Sequence, residues 1–111
     1  MKKETLNMIG LAKRAGGVMS GSYLVEQALH KRKAKLVLIA EDASDNTKKQ
    51  IYNQCQYRGV PAVIIGLKAE LGHALGQAER SCLAVCDDNL ASAVNRKLSE
   101  EEGMKRDLQG V

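Results

Sequence analysis

The run from Lys31 to Asp42, KRKAKLVLIAED, constrains the fold more than any other stretch of the chain. Its middle, Leu36-Val37-Leu38-Ile39-Ala40, is apolar without a break, includes β-branched residues and shows no period-2 alternation. A strand of that kind is buried on both faces. It needs a layer of helices above and another below, which the flanking sequence must supply. The cations Lys31, Arg32, Lys33 and Lys35 cannot enter such a core. They belong at its rim, where they can meet an anion.

The flanks supply those layers. Leu6, Ile9 and Leu11-Ala12 recur at helical spacing over Lys3 to Ala15, and Gly16-Gly17 stops that helix. Val18 to Ser20 reads as a short strand. A helix follows from Tyr23 to His30, with Ser22 as its N-cap and Val25, Ala28 and Leu29 buried. Beyond the central strand, Ser44 or Asp45 caps a helix that runs to Tyr57 and ends at Arg58-Gly59. Val60 to Ile65 is a second apolar strand, and Pro61 confines its start to an edge or outside the pairing. A short helix from Lys68 to Leu75 ends at Gly76, and Gln77 to Ser81 is a loop. Cys82 to Cys86 is the last strand, and Asp88 caps a helix from Asn89 to Leu98. Strands alternating with helices predict an α/β fold, a three-layer α/β/α sandwich on a four-stranded sheet. It is expected as one domain over residues 1–98, with an acidic tail, residues 99–111, that frays.

Charge is distributed unevenly. Residues 1–35 hold eight cations against Glu4 and Glu26, while the remainder holds nine against eleven acids. A basic first third on a near-neutral body is the electrostatic footprint of a nucleic-acid binder, and equally of a solvated basic surface. The chain has no Phe or Trp and only three tyrosines. That composition weighs against readers that stack single-stranded bases on aromatic platforms. Cys55, Cys82 and Cys86 form neither a CxxC pair nor a disulfide framework, and no apolar stretch is long enough for a membrane span. A cytoplasmic protein with no membrane association is expected.

Motifs for catalysis are absent. Glu41-Asp42 and Asp87-Asp88 each follow a strand, where paired carboxylates can hold magnesium, but helix capping explains both pairs without a metal. His30 and His73 have no second ligand at a recognisable spacing, and no phosphate-cradling glycine motif is present. No cofactor or metal is expected, and no enzyme. Binding has more behind it. Gly21-Ser22 stands where a strand turns into a helix, so backbone N–H groups are free to meet an acceptor. Lys13-Arg14 and Lys31 to Lys35 flank that turn in sequence.

The order of these pieces resembles a known family. Gly21, Val25, Ala28-Leu29, Ala34-Lys35-Leu36-Val37, Ile39-Ala40-Glu41-Asp42, Val60-Pro61, and Leu71-Gly72 with Ala74 and Gly76 follow the pattern of the kink-turn-binding ribosomal L-seven-Ae proteins. The opening Leu6 to Gly17 and the run Asp42 to Lys49 are similar to its bacterial YlxQ-type branch. The resemblance spans residues 4–98. It implies an α/β/α sandwich that binds structured RNA, of kink-turn or ribosomal kind, without catalysis. It also implies a second lip to the site, the loop after Gly76.

Carried onto this chain, the implied RNA site is Gly21, Ser22, Tyr23, Leu24 and Gln27, with Lys31, Arg32 and Lys35 on phosphates. Lys13 and Arg14 would flank it, and Gln77, Ala78, Glu79 and Arg80 would form the second lip. Gly21 and Ser22 would donate backbone N–H groups. Three positions depart from the family pattern, since Tyr23, Leu24 and Gln27 stand where it has Asn, Glu and Lys, and the second lip is polar where the family's is apolar. Leu24 cannot bond a base edge, whereas Tyr23 can stack and Gln27 can read a base. A monomer is expected, with ribosomal proteins as further partners. The alternative is a protein-interaction module that has lost kink reading and uses the Tyr23-Leu24 surface.

Overall fold

Residues 1–101 and the backbone of 105–107 are described by the computed structural model. The apolar run forms β2 (Leu36–Ile39), and all four of its residues are buried, as the absence of alternation requires. Around it, in chain order, stand α1 (Lys3–Arg14), β1 (Val18–Ser20), α2 (Ser22–His30), α3 (Asp45–Arg58), β3 (Ala62–Ile64), α4 (Lys68–Ala74), β4 (Cys82–Val85) and α5 (Asp88–Ser99). The four anticipated strands lie in the order β1-β4-β2-β3. β3 runs parallel to β2, and β4 runs antiparallel to both β2 and β1. Beyond the expected four, a short fifth strand, β5 (Lys105–Asp107), pairs antiparallel with β3. It falls in the segment expected to fray, residues 99–111, of which Ser99 instead ends α5 and 102–104 and 108–111 lie outside the described residues.

Helices cover both faces. α2 and α3 pack on each other over one face, while α1, α4 and α5 cover the other. Their inward side chains, Val25 and Leu29 from α2, Ile51 from α3, Ile9 from α1, Leu71 from α4 and Leu98 from α5, are all essentially inaccessible. Each such aliphatic contributes about 1.5–3 kcal/mol by leaving water. Among the described residues no helix is long and apolar enough to cross a membrane.

Two expected caps shift by one residue. Gly21, not Ser22, is the N-cap of α2, at φ 90° and ψ 152°, a conformation only glycine adopts freely. Asp87, not Asp88, caps α5, its Oδ1 accepting from the Leu90 N–H at 2.9 Å. Ser44 caps α3 as expected, accepting from Thr47 N–H. Pro61 lies just before β3, though its carbonyl accepts from the Val37 N–H of β2 at 3.0 Å.

The antiparallel setting of β4 against β2 has a direct chemical result. Ile39 pairs with Cys82 and Leu36 with Val85, so Glu41-Asp42 and Asp87-Asp88 leave the sheet at opposite ends. They cannot share one ion. Asp42 instead receives the Lys68 N–H at 2.8 Å, closing the first turn of α4.

Candidate nucleic-acid interface

The end of the sheet where β1 finishes and β4 begins gathers most of the expected site. The Gly21 N–H donates to the Cys82 carbonyl at 2.9 Å, which ties the start of α2 to the start of β4. Next to it, Ser20 Oγ donates to Gln77 Oε1 at 3.0 Å. The turn at Gly21 and the loop Gln77 to Ser81 are therefore two lips of one opening. Gly21 does not offer its own N–H outward, contrary to expectation, because Cys82 consumes it. Its left-handed backbone instead turns the chain so that the next three amides, of Ser22, Tyr23 and Leu24, head the helix. Those amides meet no acceptor among the described residues. They form the positive end of α2 and suit an anion or a base acceptor.

The loop is held in place from beneath. Gln77 N–H donates to the Gly72 carbonyl at 2.8 Å and Arg80 N–H to the Lys68 carbonyl at 3.1 Å. The Arg80 guanidinium folds back on the Ala78 and Glu79 carbonyls. Gly72 is buried under this loop; a Cβ there would stand 2.2 Å from the Ala78 carbonyl oxygen.

Along α2, Tyr23, Gln27 and Lys31 follow one another at four-residue spacing, hence on one ridge. With Leu24 they line a groove of about 290 Å³ between the helix and edge strand β1. Tyr23 is 72% exposed and Leu24 43%, so both side chains reach outward. Met19, Ala28, Lys33 and Cys86 complete the groove; Met19 and Cys86 were missed from sequence, and Lys33 was placed in the cationic rim but not in the site. Alternation along Val18-Met19-Ser20 was the available signal for Met19, because on an edge strand the middle residue faces opposite to its neighbours. Burial raises the Cys86 thiol's pKa, while the nearby Lys33 and Lys35 ammonium groups pull it down.

Four expected cations stand apart from this opening. Arg32 and Lys35 turn to a different cavity, beside the end of α3. Lys13 and Arg14 end α1, in the helical layer on the other face of the sheet from α2. Nearness in sequence to Gly21 did not bring them to its face, because β1 intervenes and sends the chain to the opposite layer. Among the described residues no group of three or more His, Cys, Asp or Glu side chains converges to hold a metal.

The architecture is an α/β/α domain in which a helix start stands beside a second loop, with Lys31 at the far end of the helix ridge. The chain belongs to the ribosomal protein L7Ae/L30e/S12e/Gadd45 family, whose profile matches residues 3–95. It is 40% identical over 89 residues to the RNA-binding protein YlxQ of Bacillus subtilis (strain 168), covering 80% of this chain and 89% of that protein. Against the RNA-binding protein YlxQ of Enterococcus faecium the identity is 34%, covering 81% and 86%. A protein with unknown function from Bacillus halodurans C has a solved structure similar to this one, with a TM-score of 0.85 at 28% identity. That likeness covers 89% of this chain and all of that one. The Giardia lamblia 15.5kD RNA binding protein shares the fold, with a TM-score of 0.71 at 24% identity over 89% of this chain and 91% of that chain.

Proposed function

We propose that this protein binds structured RNA, a sharply kinked duplex of the kink-turn kind, through the start of α2 and the loop Gln77 to Ser81. The observation that carries the reading is the tie between these two lips, through Gly21 to Cys82 and Ser20 to Gln77. It holds three amides without acceptors beside a second surface, where a base turned out of a duplex can lodge. The YlxQ relatives, which bear the name RNA-binding protein, support the same class. A more distant relative, the large ribosomal subunit protein eL8 of Thermoplasma volcanium at 29% identity over 78% of this chain and 73% of its own length, supports a ribosomal setting. The function is binding in the cytoplasm, without catalysis.

The residues divide the task. The amides of Ser22 to Leu24 take acceptors on the kinked strand, Tyr23 stacks, and Gln27 reads a base edge. Lys31, one turn further along, holds a phosphate. Leu24 offers no polar atom, so discrimination between bases rests on fewer side chains than in a site with a carboxylate there. Affinity leans correspondingly on phosphates and shape.

The test is a titration against a kink-turn RNA and a length-matched plain duplex at two salt concentrations. The kinked RNA should bind more tightly, and Gln27→Ala should remove about 1–3 kcal/mol of that preference. Equal binding to the two RNAs refutes kink reading; binding to neither refutes RNA as the ligand. A second reading, a protein-interaction module, draws on the exposed Met19, Tyr23 and Leu24 around the α2 groove. It predicts binding that barely responds to salt, whereas several phosphate contacts weaken steeply as salt rises.

A further inference from the structure

Arg32 occupies a backbone position that side chains avoid. At the end of α2 the Lys33 N–H donates to the Ala28 carbonyl at 2.8 Å and the Arg32 N–H to the Leu29 carbonyl at 3.1 Å. This is a Schellman closure, whose left-handed residue is ordinarily glycine. Here it is Arg32, at φ 58°, and no other non-glycine among the described residues has a positive φ. The neighbouring helix α3 closes in the same way, and its left-handed residue is Gly59, at φ 70°. Within one molecule, two equivalent turns thus use different residues. The arginine carries a steric cost that glycine would not.

Its surroundings explain what that cost secures. Arg32 lines an open cavity of about 560 Å³ together with Lys35, Tyr57, Arg58, Gly59 and Pro61. No acidic residue among the described ones lines it. Lys35 Nζ comes only within 4.0 Å of Asp88 Oδ1, a contact between exposed groups that an anion can displace. Arg58 Nη2 donates to His30 Nδ1 at 3.1 Å, while its Nε is buried without an acceptor among the described residues. The Arg58 guanidinium lies 5.7 Å from the centre of the Tyr57 ring, and Tyr57 is 86% exposed. Three cations, of which among the described residues only Lys35 has a carboxylate within 4.0 Å, thus surround a cavity of small-ligand size, with an aromatic face at its mouth.

We infer that this cavity is a second binding site, for a nucleotide, in which Arg32, Lys35 and Arg58 hold the phosphate and Tyr57 stacks on the base. It is independent of the reading given for the Gly21 opening, which lies at the other end of α2, roughly 14 Å away along a nine-residue helix. A free nucleotide and one residue of an RNA strand present the same chemistry, and the test separates them.

The experiment is an amide NMR titration of the full chain with adenosine monophosphate, adenosine, inorganic phosphate and a five-residue oligoribonucleotide. It compares the wild type with Arg32→Gly, Tyr57→Ala and Gln27→Ala. Adenosine monophosphate should shift the amides of residues 32–35 and 57–59 saturably, with adenosine and phosphate each binding more weakly. Arg32→Gly should weaken the nucleotide roughly tenfold or more, the loss expected for one charge-assisted contact. It should melt no lower than the wild type, because glycine relieves the left-handed turn, so lost binding cannot be lost folding. Tyr57→Ala should weaken the nucleotide but not inorganic phosphate, and Gln27→Ala should change neither. Tighter binding of the oligonucleotide than of the mononucleotide identifies an RNA strand as the source, and the reverse order a free nucleotide. Absence of saturable shifts at these amides, unchanged affinity in Arg32→Gly, or phosphate binding as tightly as the nucleotide would overturn the inference. Loss of kinked-RNA binding with nucleotide binding intact would count against the Gly21 opening alone.

Discussion

Replacing Gly72 by alanine should dislodge the second lip of the proposed RNA site without touching any residue on it. A Cβ at this position would stand 2.2 Å from the Ala78 carbonyl oxygen, 2.7 Å from the Ala78 carbonyl carbon and 2.9 Å from the Glu79 Cα. All three are backbone atoms, so no side chain can rotate away; the loop itself must rise by roughly 1 Å to reach ordinary contact. The movement strains the Gln77 N–H to Gly72 carbonyl bond, now 2.8 Å, and through Gln77 the link to Ser20. Overpacking together with one weakened backbone bond should cost about 2–4 kcal/mol. For a domain near 100 residues, that lowers the melting temperature by on the order of 10–20 °C.

Gly76→Ala is the matched control. Gly76 has φ 69° and nothing within 4 Å of an added Cβ, so it should lose about 1–2 kcal/mol from backbone strain alone. Chemical denaturation and a kink-turn RNA titration on both variants separate the effects. Gly72→Ala should lose stability and affinity, and Gly76→Ala stability only. A Gly72→Ala protein within about 0.5 kcal/mol of the wild type would refute the packing reasoning. Equal loss of affinity in the two variants would refute the positioning role of the loop.

Other outcomes follow from geometry already described. Lys31→Ala should reduce the slope of log K against log salt for a duplex by about 0.9, the value for one phosphate contact. Lys13→Ala, in the opposite helical layer, should leave that slope unchanged in the same fluorescence titration. Burial, with the neighbouring Cys82 adding to it, pushes the Cys55 thiol up to about 12, and burial raises Cys82 to about 11. Thiols of the unfolded chain ionise near 9.0, so above that pH the unfolded state releases protons that the folded state retains. Stability should therefore be fully present below pH 9 and fall as pH rises through the range to about 11 and 12, with Cys55→Ala flattening the decline in urea titrations. Asp87→Ala removes the cap of α5 and should cost about 1 kcal/mol by thermal melting, whereas Asp88→Ala should cost less.

The layers and strands were legible because burial leaves a periodic trace. An unbroken apolar β2, helical stripes on either side and glycines at helix ends are local signals, and local signals gave the element order. Strand direction left no such trace. Nothing within Cys82 to Val85 says that it inserts between β1 and β2, yet that placement separates the two acid pairs and brings Ser20 to Gln77. For the site, the α2 ridge was readable from four-residue spacing, which put Tyr23, Gln27 and Lys31 on one line. Arg32 and Lys35 were grouped with Lys31 by sequence adjacency, but the left-handed turn at Arg32 redirects the chain toward α3. A positive φ on an arginine is invisible in a sequence. The caps at Gly21 and Asp87 were each displaced by one residue because Ser22 caps better than glycine by type, and Asp88 as well as Asp87, while the turn at Gly21 demands a positive φ.

The place of β4 in the sheet also sets an order in time. Among the described residues β1 pairs only with β4, and the Gly21 turn is fastened to Cys82, so the first strand of the chain waits for the last of the anticipated four. A chain growing from its N-terminus can close β2 on β3 early, yet β1 stays unpaired until residues 82–85 have emerged. The opening at the start of α2 is thus assembled late, by contacts far apart in sequence. An unfinished chain carries the basic residues of the site but not its shape. Any recognition that depends on this shape is therefore withheld until the domain is nearly complete.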